Sequence, residues 1–221
     1  MYAERASALP HVVAWRSVAP PDGRTTRILP DGCLDLIWND GSVFVAGPDT
    51  VAEVASSPPG SRFAALRFAA GTGPGVLGVP ADELLDRQVP LEDLWPAAEV
   101  RRLAEATDPI AALESVAARR FQQPDRTMVA VAEAAQAGRQ VSAIADSCAL
   151  SPRHLHRLCK TAFGYGPKTL HRILRLQRAV RLARGGLPFA DVSAVAGYAD
   201  QAHLAREVKA LAGVPLSGLI G

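Results

Sequence analysis

The sequence predicts an α+β protein, in which a β-rich N-terminal half precedes an all-α C-terminal domain. Short apolar segments separated by Pro, Asp, Asn and Gly turns are frequent up to residue 74, and short helical segments are expected after Pro80 and Pro90. A long amphipathic segment spans 166–186, and an approximate self-repeat flanks it on both sides. We therefore expect a β-rich domain over 1–96, a helical connector over 97–123 and a helical domain over 124–221.

The N-terminal half contains strand patterns typical of a small barrel or sandwich. Turn residues separate these strands, and Asp40-Gly41 is a hairpin signal. The predicted strands are Arg27–Leu29, Cys33–Trp38, Ser42–Ala46 and Arg62–Ala69. Two helices follow near 97–106 and 109–122, and they either connect the domains or pair two subunits.

The segment Gly166–Gly186 reads GPKTLHRILRLQRAVRLARGG and predicts one helix of about five turns. Pro167 suits its first turn, and two glycines provide the stop. Its apolar arc consists of Leu170, Ile173, Leu174, Leu176 and Val180. The opposite, basic arc consists of Lys168, His171, Arg172, Arg175 and Arg178. Such a helix is expected to bury one face and to show the other to something anionic.

Charge is divided unevenly along the chain. Residues 139–221 carry 12 Lys and Arg against 4 Asp and Glu, whereas residues 1–138 carry 12 against 18. A basic domain behind an acidic one indicates nucleic acid as the partner of the basic part. Because the N-terminus has no apolar signal core and no segment is apolar enough to span a bilayer, we expect a cytoplasmic protein without a membrane partner. Three scattered cysteines fit a reducing compartment.

The self-repeat predicts two helix-turn-helix units. One copy runs over 144–164 and the other over 192–213, at an offset of 48 before the turn and 49 after it. Each copy reads as a short helix, a tight turn and a second helix whose exposed face carries Arg and His. Ser151 is the expected N-cap in the first copy. Two such units on one rigid helix would place two recognition helices in successive major grooves.

Two long motifs now carry a family resemblance. LSPRHLHRLCKTAFGYGPKTLHRILRLQRAVRLARGG and DVSAVAGYADQAHLAREVKALAGVPLSGL resemble the DNA-binding domain of AraC/XylS-type transcription regulators. In the acidic half, LPDGCLDLIW and LGVPADELLDRQVPLEDLW resemble the N-terminal domain of one group of these regulators. The resemblance implies a transcription factor on double-stranded DNA. Its cupin-like half-barrel or sandwich would sense a small-molecule effector or form a homodimer, and RNA polymerase would be a partner of an activator.

The resemblance also assigns roles to individual residues. The expected base contacts are Arg153, His156 and Arg157 in the first unit and Ala202, His203 and Arg206 in the second. The expected phosphate contacts are Lys160, Lys168, Arg172 and Lys209. The chain departs from the family pattern at Cys159 and Val208, where Phe is usual, and at Ala149, where Gly is usual. In the second unit, Ala202 offers a base only a methyl contact. These departures predict looser packing and weaker base readout in the second unit.

A candidate effector pocket in the N-terminal domain includes Cys33, Asp35 and Trp38. Asp31 and Asp35 would suit a cationic ligand, although surface-facing residues at a turn are the simpler interpretation. The same carboxylates should raise the pKa of the Cys33 thiol rather than activate it, so an ordinary strand residue is favoured over a sensor or alkyl acceptor. Of His154, His156 and Cys159 only the last two share a helix face, so we expect no metal and no cofactor.

Two other function classes compete with the regulator. A thiol alkyl-transfer repair enzyme fused to a DNA-binding domain would need an activated cysteine, and no common hydrolase, nucleotide-binding or metalloprotease motif appears. We therefore expect no enzymatic activity. A non-specific architectural protein would bind an operator and random DNA with similar affinity.

Overall fold

The computed structural model describes residues 1–220 and has the predicted α+β architecture. The strands are β1 Tyr2–Ala6, β2 Val12–Val18, β3 Arg24–Ile28, β4 Leu34–Asn39, β5 Ser42–Ala46, β6 Glu53–Ser57, β7 Arg62–Phe68 and β8 Gln88–Pro90. Six of them form one antiparallel sheet in the order β1-β2-β7-β4-β5-β8, and β3 and β6 form a separate antiparallel ribbon. The strands β1, β2, β6 and β8 were not predicted, and β3 starts three residues earlier than expected.

The helices continue the chain after β7. They are α1 Pro74–Leu77, α2 Ala97–Ala104, α3 Pro109–Arg120, α4 Arg126–Gln136, α5 Val141–Ser147, α6 Pro152–Phe163, α7 Pro167–Arg184, α8 Phe189–Ala196 and α9 Gln201–Ala212. Short 3₁₀ turns lie at Ala81–Glu83, Leu91–Asp93 and Leu216–Leu219. The long helix α7 begins and ends where its proline and glycines predict.

The two faces of the six-stranded sheet have different roles because side chains alternate along each strand. One face, which includes Leu34 and Leu36 of β4, forms a buried apolar core. Leu103 of α2 and Leu113 of α3 belong to this core, so the segment between the domains packs on the sheet. The opposite face is mixed, since it carries the pair Asp35 and Arg67 beside the buried apolar Ile37 and Ala65.

The helix α7 is shared by two apolar clusters. Leu170, Ile173 and Leu174 pack with α4, α5 and α6, whereas Leu176 and Val180 pack with α8 and α9. All five members of the predicted apolar arc are buried, as the helical periodicity indicates. One rigid element therefore carries both helix-turn-helix units.

The N-terminal domain is in contact with this helical domain. Phe163 at the end of α6 is buried, and a Cβ at Gly71 would lie 2.7 Å from its ring. In the middle of α7, the side-chain amide of Gln177 donates to the carbonyl oxygen of Pro30 at 2.7 Å. Within residues 1–220, no helix combines the length and the apolar character that crossing a bilayer requires.

Candidate nucleic-acid interface

The first recognition helix, α6, separates a buried face from a basic one. Ser151 caps its start, since the hydroxyl accepts from the backbone N–H of His154 at 3.2 Å, and Pro152 occupies the first turn. Leu155, Cys159 and Phe163 are buried. The predicted reading residues on the other side are exposed, and they are Arg153, His156 and Arg157. Their long donor-bearing side chains suit the edges of bases in a major groove.

The second recognition helix, α9, is capped in the same way but exposes fewer hydrogen-bonding side chains. The carboxylate of Asp200 accepts from the backbone N–H of His203 at 2.6 Å. Ala202 and Arg206 are exposed. The ring of His203 is half-buried, and its Nδ1 accepts from the backbone N–H of Ala199 at 3.3 Å. A neutral His203 therefore has its proton on Nε2, which leaves one donor for an external partner.

The two N-caps place the recognition helices in register at the offset of 49 residues, from Ser151 to Asp200. In this register Arg157 corresponds to Arg206. His203, however, corresponds to His154 and not to His156, whose counterpart is Ala205. The second helix thus has alanines, Ala202 and Ala205, at the positions where the first has Arg153 and His156.

The N-terminal domain forms one wall of a groove in front of α6. The groove has a volume of about 570 Å³ and is lined by Asp82, Ser151, Arg153, His154, His156, Arg157, Lys160 and Thr161. Asp82 belongs to the 3₁₀ turn Ala81–Glu83, and its carboxylate lies 3.7 Å from the Lys160 ammonium. Both side chains are partly exposed, so this pair is weak and readily exchanged for another partner.

The four predicted phosphate contacts separate into two groups. Lys160, Lys168 and Lys209 are exposed. Arg172 is only partly exposed, and its guanidinium grips Glu207 of α9 through bonds of 2.9 and 3.2 Å. This pair raises the pKa of Arg172 and lowers that of Glu207. Arg172 would have to break it before it could bind phosphate.

The expectation that the basic arc of α7 faces an external anion needs correction. Arg175 is 14% exposed and also bonds Glu207, at 3.4 Å. Arg178 donates to the backbone oxygen of Ala137 at 3.2 Å. Burial, with Arg175 nearby, lowers the pKa of His171. Neighbouring elements of the same domain use most of this arc, because α7 lies at the centre of the domain rather than at its surface.

The residues of the candidate effector pocket lie on opposite faces of β4. The carboxylate of Asp35 accepts from Trp15 Nε1 at 2.7 Å and from Arg67 Nε at 3.1 and 3.2 Å. Burial raises the pKa of Asp35, and Arg67 opposes that shift. Trp38 instead lies in the core, where its Nε1 donates to the Ala104 carbonyl at 3.0 Å. Asp35 and Trp38 therefore do not line one pocket.

The thiols of Cys33 and Cys159 are in environments that suppress nucleophilicity. Burial raises the pKa of Cys33 well above its ordinary value, and Asp31 and Asp35 add to the shift. Burial also raises the pKa of Cys159 to about 12. A thiolate at either position is therefore strongly disfavoured at neutral pH. Among the described side chains, no group of three or more His, Cys, Asp or Glu is arranged to hold a metal ion.

Sequence reasoning missed Asp82, Arg67 and Glu207 as parts of these sites. Glu207 is the single acidic residue in the basic α9, which was a usable signal. The partners of Asp82 and Arg67 lie 78 and 32 residues away in the chain, so only the folded structure identifies them.

Comparisons with known proteins agree with this arrangement. Residues 144–219 match the helix-turn-helix domain family, and residues 8–90 match a domain of unknown function (DUF6597). Among curated protein sequences, none matches significantly.

Similar solved structures include ToxT from Vibrio cholerae. An apo variant from strain SCE256 is 10% identical with a TM-score of 0.51, covering 96% of this chain and 97% of that one. ToxT from strain O395 is 9% identical with a TM-score of 0.50, covering 95% and 97%. The unsaturated fatty acid-bound protein from strain SCE256 is 10% identical with a TM-score of 0.50, covering 98% and 97%. At such low identity these likenesses establish the fold over nearly the whole chain.

The family match covers residues 144–219, which include both capped recognition helices, α6 and α9. The domain makeup is that of a DNA-binding transcription regulator. The C-terminal part of the chain is a helix-turn-helix domain of the AraC/XylS type, carried behind a β-rich N-terminal domain.

Proposed function

We propose that the protein is a sequence-specific transcription regulator that reads two adjacent major grooves of double-stranded DNA. The observation that carries the proposal is the equivalence of Arg157 and Arg206. Both are exposed, both stand six positions after a side-chain N-cap, and both belong to units carried by α7. Arginine donates a fork of hydrogen bonds to the O6 and N7 atoms of guanine.

Control by the N-terminal domain is part of this proposal. Asp82 lies on the wall of the groove that α6 presents, and its carboxylate shares Lys160 with any incoming phosphate. An acidic residue at this position lowers the local positive potential on which DNA binding depends. Movement of the N-terminal domain away from α6 would therefore strengthen binding to the first half-site.

A small-molecule effector is the proposed cause of such movement. The charged group at Asp35 supports this position, because Trp15 and Arg67 add an aromatic surface and a guanidinium beside the carboxylate. Arg67 uses its Nε on Asp35, and its side chain is 36% exposed. Trp38 has no part in this site.

The experiment is a selection of bound duplexes from a random library, with affinity then measured by fluorescence anisotropy at several salt concentrations. We expect a bipartite motif whose halves are centred about 10 base pairs apart. Arg157→Ala and Arg206→Ala should each relax one half of the motif at a cost of about 1–3 kcal/mol. Arg102→Ala, which removes an exposed arginine of α2, is the matched control and should leave both halves intact.

Salt-sensitive binding without an enriched motif would contradict the proposal, since it would mean phosphate contact without base readout. The protein would then be a non-specific architectural binder. Equal behaviour of Arg157→Ala and the parent on operator and random DNA would contradict the assignment of α6 as a reading helix.

A further inference from the structure

Glu207 on α9 is held by two arginines of α7. Its Oε2 accepts from Arg172 Nε at 2.9 Å, and its Oε1 accepts from Arg172 Nη2 at 3.2 Å. Arg175 Nη2 adds a longer bond of 3.4 Å to Oε2. A two-pronged guanidinium–carboxylate pair restricts the orientation of both partners. Only 20% of the Glu207 side chain is exposed, so water competes little for the pair.

The same network reaches the turn of the second unit. Arg175 Nη1 donates to the Gly197 carbonyl at 3.2 Å, and its guanidinium lies 4.3 Å from the centre of the Tyr198 ring. Tyr198 makes an edge contact with the ring of His203, with 5.4 Å between ring centroids. The contacts therefore run without a break from α7 through the turn to the first turn of α9.

In the first unit, no carboxylate stands at the position of Glu207. The residue of α6 that corresponds to Glu207 is Leu158, which packs with the apolar cluster of that unit. The fold of a helix-turn-helix unit thus does not require a carboxylate at this position. The contacts of Glu207 with Arg172 and Arg175 therefore distinguish the second unit. The recognition helix of this unit has fewer long side chains that could fix its position on DNA by base contacts.

We propose that Glu207 is a positioning residue for DNA recognition. By fixing α9 on α7 it sets where His203 and Arg206 meet the second half-site, relative to the first half-site read by α6. The inference rests on the proposed reading of two grooves. It also gives Arg172 a different role from phosphate binding, since its guanidinium holds Glu207.

The test uses the full chain and the selected bipartite duplex, with companion duplexes in which one half is scrambled or one base pair is inserted between the halves. Glu207→Gln should weaken binding to the intact duplex by about tenfold or more, because a charge-assisted bond is lost. Binding to the duplex that retains only the first half should not change. Discrimination against the inserted base pair should fall.

Arginine variants separate positioning from phosphate contact. Arg172→Ala should reproduce the loss at the second half-site without altering the salt dependence, whereas a lost phosphate contact would lower the salt slope by about 1. Exchange of the two charges in the double variant Arg172→Glu, Glu207→Arg should restore part of the spacing preference. Glu133→Gln, at an exposed carboxylate of α4, is the matched control and should have no effect.

Two outcomes would overturn the inference. One is a Glu207→Gln protein that keeps its second-half affinity and spacing preference; the other is an equal loss on the first-half duplex, which indicates general destabilisation. Arg172→Lys, which keeps the charge but not the fork, provides a folded variant if Glu207→Gln does not fold. If the parent itself enriches no motif, the proposed function fails before the inference is reached.

Discussion

The two helix-turn-helix units share a sequence repeat, yet they are attached to the N-terminal domain in different ways. The first unit is joined by side-chain packing, with Phe163 against Gly71 and Gly164 close to Pro48, and by the weak Lys160–Asp82 ion pair. The second is joined through its backbone at the end of α9. The N–H of Ala52 donates to the Leu211 carbonyl at 2.7 Å, and Arg27 Nη1 donates to the Ala212 carbonyl at 3.0 Å.

This difference shows what a repeat does and does not predict. The repeated pattern predicts the two-helix unit, because caps, turns and apolar spacing are local. It does not predict attachments, which depend on single positions where the copies diverge. Phe163 corresponds to Ala212 and Leu158 to Glu207. The buried Phe163 therefore gives the first unit an apolar contact with the N-terminal domain that the second lacks, whereas Glu207 gives the second unit a charged contact with α7 that the first lacks.

The largest expected effect comes from removing the apolar link. Phe163 is 1% exposed, and Phe163→Ala should lower the free energy of unfolding by about 3–5 kcal/mol, through lost burial and the cavity that remains. All three tryptophans lie in the N-terminal domain, whereas most helical residues lie in the C-terminal one. Urea unfolding followed by tryptophan fluorescence and by circular dichroism should show both signals shifted.

Leu204→Ala is the control in the second unit, because Leu204 is buried in the cluster around α8 and α9. It should shift the helical signal more than the fluorescence signal. A Phe163→Ala protein with an unchanged fluorescence transition would mean that the first unit is not energetically linked to the N-terminal domain.

The sequence predicted the elements with strong local signals and missed those made by pairing. The ends of α7 follow from Pro167 and the two glycines, and β5 follows from the Asp40-Gly41 turn. All five residues of β1, in contrast, are exposed, so the strand has no alternation of buried and exposed positions to detect. It exists because it pairs with β2, and sequence periodicity does not report that pairing.

In the candidate sites, too, the features with local sequence signals were predicted and those made by long-range pairing were not. The exposure of Arg153, Arg157 and Arg206 follows from helical spacing, and the structure agrees with it. The strand pattern also predicts that Asp35 and Trp38 point in opposite directions, since residues three apart in a strand lie on opposite faces. The partner of Arg172 could not be predicted from the sequence. Glu207 is 35 residues away, and only the packing of α9 on α7 brings the two side chains together.

The turns of the two units offer a smaller and sharper comparison. Ala149 has a φ of 52° in the first turn, where Gly197 has a φ of 83° in the second. A side chain disfavours this left-handed conformation, so Ala149→Gly should stabilise the protein by about 1 kcal/mol and Gly197→Ala should destabilise it by about 1 kcal/mol. A Cβ at residue 197 would meet nothing within 4 Å, so the backbone alone is tested. Shifts of equal sign in thermal unfolding would contradict the explanation.

The smallest expected effect concerns the loop between β5 and β6, which touches both units through Pro48 and Ala52. Burial raises the pKa of Asp49 in this loop from 3.8 to about 7, with Glu53 as the leading neighbouring charge. Because the folded pKa exceeds the unfolded one, the protonated carboxyl contributes stability below pH 3.8, and this contribution is lost as the pH rises through about 7.

Asp49→Asn should therefore be more stable than the parent at about pH 8, with a difference that shrinks towards about pH 5. Solvent screening keeps the effect small, since the side chain is half-buried. Urea unfolding of both proteins across this range measures the difference directly. Thr50→Val serves as the control for general loop damage, because it removes the hydroxyl that donates to the Asp86 carboxylate without changing any charge, and it should destabilise the loop at both pH values. Parallel pH profiles for the parent and Asp49→Asn would show that Asp49 is ionised throughout. The loop would then contact the two recognition helices without making their attachment depend on pH.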